Sequence, residues 1–353
     1  MPNQIVVPTG YMGSGSSAIT DLLREIQGYD CKNETFEYVL MHCPDGVFDL
    51  EDKLLFGNNA IRSDEAIHRF IECINMLYDR KNYWISSYKK KISPSFQKYS
   101  KEYISKITTA TFPDTYWYFQ ENPDTFLLQL KNYICRVVCK ITSEKIKLSR
   151  PLKYKSMNIA FPVAEDFYMA TKRYLQRIFD DLGYRDSNLV LDQFLLPHNL
   201  YRIENYFDDN LRVIVVDRDP RDVFVLNKYK WTPDKMGIPY PLDALDFSEF
   251  YKKMRRNERF VDDKRILRIH FEDLVYKYDE VIGGIYTFLG IDDSFHLNKR
   301  KYFNPNISIE NTHLCHLNSM IEMECNVIAK ELEEYIYEFP DKSNKHKNLN
   351  TVF

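Results

Sequence analysis

Only eleven glycines serve 353 residues, so a cluster of them calls for a reason. Three fall within Pro8-Thr9-Gly10-Tyr11-Met12-Gly13-Ser14-Gly15-Ser16-Ser17. Apolar Ile5-Val6-Val7 precedes this run, and Ile19, Leu22, Leu23 and Ile26 follow it at helical spacing. A glycine loop between a strand and a helix N-terminus is an anion site, because backbone N–H groups converge there and the helix dipole favours negative charge. Two phosphate motifs fit it in part. As a triphosphate loop, Gly10 and Gly15 have the G-x-x-x-x-G spacing, but Ser16 stands where the lysine belongs. As a dinucleotide fingerprint, Gly13-x-Gly15-x-x-Ala18 fits, but Tyr29 to Glu34 does not read as the second apolar strand that must end in an acid.

A second chemical cluster, Asp217-Arg218-Asp219-Pro220-Arg221-Asp222, follows Val213-Ile214-Val215-Val216. The carboxyl end of a parallel strand is where open α/β sheets bind ligands, and an arginine there clamps phosphate with paired hydrogen bonds. Taken alone, the cluster reads equally as a salt-linked turn in which three acids neutralise two arginines. Pro220 suits the first turn of a helix. His313-Leu314-Cys315-His316 has metal-ligand residue types but no distant partners at zinc spacing, so it is expected to be structural and no metal site is assigned.

The elements that must position these groups alternate. Strands are expected at 5–7, 188–191, 212–216 and 265–270, the last three separated by helical patterns, which implies an α/β fold with a parallel sheet flanked by helices. Helices are expected from about 65, with Ile67, Phe70, Ile71, Ile74 and Leu77 as one stripe, from Phe126 to Ile146, from Val163 to Leu182, and from Glu280 to Leu289 with Gly290 closing it. Gly28 is expected to end the helix that follows the loop. Tyr88 to Ile107 is a poorer helix, and Phe112 to Phe119 interrupts the helical run. The whole chain, 1–353, reads as a single domain, with 65–182 a basic helical insertion on the acceptor side and 341–353 a polar, frayed tail.

These motifs, in this order, resemble those of the sulfotransferase family, whose members move a sulfuryl group from 3′-phosphoadenosine 5′-phosphosulfate (PAPS) to an acceptor. Met12 to Ser17 occupies the family's 5′-phosphosulfate loop, so the fold it implies carries a P-loop-like 5′-phosphosulfate loop. Arg218 to Asp222 matches the family's R-D-P-R-D, whose first arginine contacts the 3′-phosphate. Glu272-Asp273-Leu274-Val275 and Phe288-Leu289-Gly290-Ile291 match two later segments. Phe303-Asn304-Pro305-Asn306-Ile307-Ser308-Ile309-Glu310-Asn311 fits the F-x-P-x-x-S-x-x-N of bacterial relatives. The resemblance implies PAPS as the donor and PAP as its product, held by Gly13, Ser14, Gly15, Ser16 and Ser17, by Arg218, and by Asn227, Lys301 and Ser308. Two positions depart from the family. Gly13 replaces the usual loop Arg or Lys, and Leu226 replaces a phosphate-binding Ser, with Asn227 beside it. The general base implied is Glu37 ahead of His42, with His198 third.

Charge bears on the acceptor. Residues 80–155 hold 16 Lys and Arg against five acids, a net +11, while the whole chain is at −3. A single-sign segment attracts anionic ligands in a salt-sensitive way. With the aromatics Phe112, Tyr116, Trp117, Tyr118 and Phe119 inside it, the first expectation is an acidic saccharide, such as a cell-surface polysaccharide. A lipid or sterol-like hydroxyl comes second. Nucleic acid is not expected, since no binding module is present. A non-catalytic nucleotide-binding relative and a P-loop kinase-like enzyme stand outside this class. Seven cysteines without paired spacing read as free thiols, and with no signal-peptide pattern and a mean hydropathy of −0.45 a cytoplasmic protein is expected, with no transmembrane segment.

Overall fold

A computed structural model of the chain describes residues 3–81, 83–113, 125–143, 145–146, 148 and 153–340. The chain divides into two compact units. The first takes in residues up to 42, 91–93 and those from 176 on, and the second 43–90 with 94–175.

The first unit is built on a five-stranded sheet. Its strands are β1 (Ile5–Gly10), β2 (Tyr29–Asp30), β5 (Asn188–Val190), β6 (Leu211–Asp217) and β7 (Ile266–His270); β3 and β4 belong to the second unit. The order is β2-β5-β1-β6-β7 and every pairing is parallel. Such a sheet is covered on both faces, which is why Val6, Val7, Val213, Ile214 and Val216 are all fully buried rather than alternating in and out. β1 pairs with β6 along its whole length, from Ile5 opposite Leu211 to Gly10 opposite Val216. The first strand of the chain is therefore the middle one, and the chain crosses over it between β5 and β6. The carboxyl ends at such a crossing are the place where this architecture leaves a ligand crevice.

The expected strands and most of the expected helices form, with differences at their edges. The helix after the loop is Ser17–Leu23 and stops before Ile26, which bridges to His296. Gly28, at φ +87°, turns the chain into β2 rather than capping the helix. β2 was not legible because two residues held by backbone pairing to β5 leave no side-chain period. Helix Tyr278–Leu289 ends at Gly290 in the left-handed conformation, as its sequence predicts. Glu25, fully buried, gathers the late segment around itself: its carboxylate takes His296 Nε2 at 2.7 Å and the amides of Arg300, Tyr302 and Phe303 at 2.6–2.9 Å.

The second unit is helical with one small hairpin-like sheet. Helix Ala60–Asp79, capped by the Asn59 side chain, buries Ile67, Phe70, Ile74 and Leu77. Helix Phe96–Ile107 adds Phe96 and Tyr103, and Tyr103 stacks on Tyr174 of helix Ala164–Leu182 at 4.9 Å between ring centres. β3 (Ala110–Pro113) pairs antiparallel with β4 (Ser156–Ile159), where only an interruption was expected. The buried Asp64 carboxylate pins this pair by accepting from Asn158 N at 2.7 Å. Helix Phe126–Ile141 ends five residues short of its expected limit. Tyr116 to Phe119 of the aromatic segment and the tail 341–353 lie outside the described residues.

Candidate active site

The loop after β1 is shaped by two glycines in the left-handed region, Gly13 at φ +81° and Gly15 at φ +86°. A Cβ on Gly13 would lie 2.9 Å from Ile238 Cδ1 and 3.2 Å from the Trp231 ring; one on Gly15 would lie 3.2 Å from the Phe271 ring. The space that an Arg or Lys would need at Gly13 is thus filled by apolar side chains. Ser14 N closes a turn onto Tyr11 O at 2.9 Å, and Ala18 N and Ile19 N donate back to Gly15 O and Ser16 O. The amides of Gly13, Gly15, Ser16 and Ser17 donate to no protein group among the described residues. Four uncommitted N–H groups in one short loop are the kind of donor set that an anion site uses.

Ser16 precedes the helix but does not cap it. Its Oγ accepts instead from Gln193 Nε2 at 2.7 Å. Gln193 stands just past β5, next to β1 in the sheet, and is tied on every side. Its amide donates to Pro8 O at 2.9 Å, its Oε1 accepts from Thr9 Oγ1 at 3.2 Å, and its carbonyl meets His42 Nε2 at 2.7 Å. It holds φ +56°, a conformation that a non-glycine residue keeps only when its surroundings impose it. Its neighbour Asp192 is buried, and burial pushes that carboxyl up to about 7, with the charges of Glu37 and Asp21 adding to the push. Tyr38 N donates to Asp192 O at 2.9 Å, which brings Glu37 alongside. Glu37 is half-buried, is raised above the usual carboxylate range by burial, and accepts no hydrogen bond from any described residue. Burial lowers His42, so its ring is neutral near pH 7 with Nε2 engaged by the Gln193 carbonyl. His198 is bound at Nε2 to Met254 O at 3.0 Å and meets the Tyr11 ring edge-on.

Beyond β6, Arg218 is buried and lies under the loop. It donates to Gly13 O at 3.4 Å and to Asn311 O, and its guanidinium sits 4.6 Å over the Phe271 ring. Its Nε has no partner among the described residues. Burial lowers its pKa, and the charges of Asp222, Glu272 and Asp219 oppose that. The acids around it are mostly committed, with Glu272 Oε2 the exception among the described residues. Asp219 caps helix Pro220–Val225 and grips Arg221 with both oxygens, while Asp222 accepts from His313 N and Leu314 N at 2.7 Å each. Glu272 accepts from Asp219 N at 2.9 Å, and burial with the Asp222 charge lifts it to about 8. Asp217 holds Arg255 with two bonds, at 2.8 and 2.7 Å.

Asn227 lies in one turn of π-helix, Leu226–Trp231. Its Oδ1 accepts from Ile238 N at 2.8 Å, and Ile238 is the side chain over Gly13; its Nδ2 is buried without a partner. Ser14 Oγ is likewise buried and unpartnered, turned toward Gly10. Lys301 is exposed with its ammonium over the Tyr302 ring at 5.1 Å, and Ser308 ends helix Pro305–Ser308; no hydrogen bond ties either to the loop. His313, Cys315 and His316 place their ligand atoms within 4.8 Å of one another. The His313 ring stacks on Phe339 at 4.2 Å, and Cys315 lies in an apolar cluster with Cys325 and Ile328.

The residues that sequence reasoning missed are Asp192, Gln193 and Asn311. Asn311 is the last residue of the late F-x-P-x-x-S-x-x-N run, so its signal was on hand. Asp192 and Gln193 carry none, because their meaning comes from β5 lying next to β1.

No curated protein matches the chain. Among solved structures it is similar to the Sulfotransferase Domain from the Curacin Biosynthetic Pathway, at 14% identity over 96% of this chain and 99% of that one, TM-score 0.38. It is also similar to sulfotransferase STF9 from Mycobacterium avium, at 12% identity over 96% and 78%, TM-score 0.36. A third is the Sulfotransferase Domain from the Synechococcus PCC 7002 Olefin Synthase, at 16% identity over 99% and 92%, TM-score 0.36. The sequence profile of the Sulfotransferase family matches residues 9–295, and the chain therefore belongs to that family of sulfuryl transferases.

Proposed function

We propose that this protein transfers a sulfuryl group from PAPS to a hydroxyl of an acceptor. The observation that carries the reading is the loop of uncommitted amides at Gly13, Gly15, Ser16 and Ser17, set against the buried Arg218. The fit extends to the unpartnered polar atoms around it, Arg218 Nε, Asn227 Nδ2 and Ser14 Oγ, which want an acceptor or a donor where a phosphorylated nucleotide would supply one.

The residues divide the work as follows. The loop amides and the Ser17 hydroxyl hold the 5′-phosphosulfate oxygens and stabilise the charge that develops on the leaving phosphate. Arg218 and Asn227 face the 3′-phosphate. Glu37 takes the proton of the acceptor hydroxyl as its oxygen bonds to sulfur and the bond from sulfur to the phosphate oxygen breaks. A carboxylate raised by burial is a stronger base for that step. Gln193 fixes Ser16, and through its carbonyl it fixes His42, which orients rather than removes the proton.

An acidic saccharide is the first acceptor to test, on the net +11 of residues 80–155. A lipid or sterol-like hydroxyl is the second. The test pairs titration of PAP in metal-free buffer with turnover of labelled PAPS on both acceptor classes. PAP should bind without Mg²⁺ and in preference to ATP. Glu37→Gln should leave PAP affinity unchanged and slow turnover by about 10²–10⁴-fold. Mg²⁺-dependent preference for ATP would remove PAPS as the donor. PAP binding without turnover on any acceptor would leave a nucleotide-binding relative.

A further inference from the structure

Helix Phe126–Ile141 in the second unit has no buried residue. Its side chains are nevertheless strongly sorted. At about 100° per residue, Phe126, Leu127, Leu130, Ile134 and Ile141 fall on one arc of about 100°. These five are 75%, 68%, 43%, 48% and 77% exposed. Of the half-buried positions, Leu128, Asn132, Cys135 and Cys139 lie on another face, spaced four, three and four apart, while Val138 borders the arc and Val137 falls within it. The more exposed side of the helix is thus also its more apolar side. A surface helix of a globular unit does the opposite.

The charges on the helix itself are of one sign. Lys131, Arg136 and Lys140 lie on this helix, and no Asp or Glu occurs from 125 to 143. Lys131 borders the stripe on one side, Lys140 and Tyr133 border it on the other, and Tyr133 is 66% exposed. Lysines flanking an apolar stripe extend their heads away from it while their stems lie along it, and a tyrosine at the border suits a plane that is apolar below and wet above. No helix among the described residues is long and apolar enough to cross a membrane.

We infer that helix Phe126–Ile141 is a membrane-surface anchor that lays its apolar stripe into the headgroup boundary of an anionic bilayer. The pattern is that of an interfacial helix: a wide apolar arc, a cationic border and a short length. A second copy of the chain covers the stripe less well, because pairing two such helices sets cation against cation. An anionic lipid surface meets the stripe and its borders together. The anchor is independent of the transfer chemistry, so failure of one leaves the other standing.

The test is co-sedimentation of the full chain with phosphatidylcholine vesicles with and without phosphatidylglycerol. The wild type should pellet with the anionic vesicles, weakly with the neutral ones, and less as salt rises. The double substitution Leu130→Glu with Ile134→Glu should abolish pelleting. Lys131→Glu, Arg136→Glu and Lys140→Glu together should lower binding to anionic vesicles by at least about tenfold. All sites are exposed, and a thermal midpoint equal to wild type confirms folding. Leu130→Trp gives a second readout, a blue-shifted emission on anionic vesicles only. A wild type that stays in the supernatant with anionic vesicles overturns the inference, as does pelleting that survives Leu130→Glu with Ile134→Glu. A dimer in light scattering that the same pair of substitutions splits assigns the stripe to a second copy and overturns it as well.

Discussion

Two corners at the carboxyl edge of the same sheet differ in how their polar groups are spent. After β6, the charges of Asp217 to Asp222 are nearly all engaged: Asp217 with Arg255, Asp219 with Arg221, Asp222 with two amides, and Glu272 with a third. After β1, four amides of the loop are engaged by no described residue. Charge is dense and mostly paired at the first corner, with Arg218 Nε and Glu272 Oε2 as exceptions among the described residues, while backbone hydrogen-bonding capacity is unmet at the second. A ligand site is marked by unmet capacity, and dense charge that satisfies itself is scaffold. Arg218 belongs to both corners, since it is compensated by the first and supports the floor of the second through Gly13 O.

That double role sets the largest expected effect. Arg218→Ala removes the bridge between Gly13 O and Asn311 O. Unfolding by denaturant should show a loss of about 2–4 kcal/mol, the scale for two buried hydrogen bonds from a charged donor, together with loss of PAP binding. If stability is unchanged while PAP binding disappears, Arg218 is a ligand group alone and the comparison between the corners fails.

Gly13→Arg comes next. The substitution restores the family's loop cation on paper, yet it must adopt φ +81° and displace Ile238. The left-handed backbone alone costs about 1–2 kcal/mol, and PAP affinity measured by calorimetry should fall. Adding Ile238→Ala should recover part of that loss. Tighter PAP binding in Gly13→Arg alone would mean that the loop lacks charge rather than room.

Gln193→Ala tests the link between the loop and the next strand. Loss of its bonds to Ser16 and Thr9 should cost about 1 kcal/mol, with a rise in the KM for PAPS larger than the fall in kcat. Gln193→Gly should be more stable than Gln193→Ala, because glycine adopts φ +56° without strain. Equal stability would remove backbone strain from the account.

A test by pH rather than by contact is the titration of Asp192. Its folded carboxyl is raised to about 7, so the folded chain holds a proton that the unfolded chain releases near the ordinary carboxylate value. The unfolded state binds fewer protons in that window, and this group's contribution to stability falls as pH rises from about 4 to about 7. Asp192→Asn should flatten that part of the stability profile in thermal melts from pH 4 to pH 8. An unchanged profile would place the carboxyl in water.

Much of the first corner could be read in the sequence because it is local. The β-branched run at 213–216, the charged sextet and Pro220 are consecutive, and Pro220 opens its helix as its fixed φ predicts. The loop was legible for the same reason, with three glycines in six residues where glycine is scarce. Asp192 and Gln193 were not, since nothing in Leu191-Asp192-Gln193-Phe194 marks them apart from any polar pair after a strand. β3 and β4 escaped notice because β3 is mostly exposed and leaves no alternation to read. Helix Phe126–Ile141 was legible as a helix, but a periodic stripe says only that one face is apolar and not whether anything covers it.

The place of β1 has a consequence for the order in which the protein can be made. The loop-bearing strand is made before its partners: Gln193 stands 184 residues beyond the Thr9 it steadies, and Glu25 waits for His296, 271 residues later. Until those partners arrive, the glycine loop has neither neighbouring strand and Glu25 is a carboxylate that must stay in water. The nascent chain therefore cannot acquire an early, ligand-competent N-terminal piece. Its binding loop is completed only after residues far downstream have been made, and contacts of such long range make that completion slow.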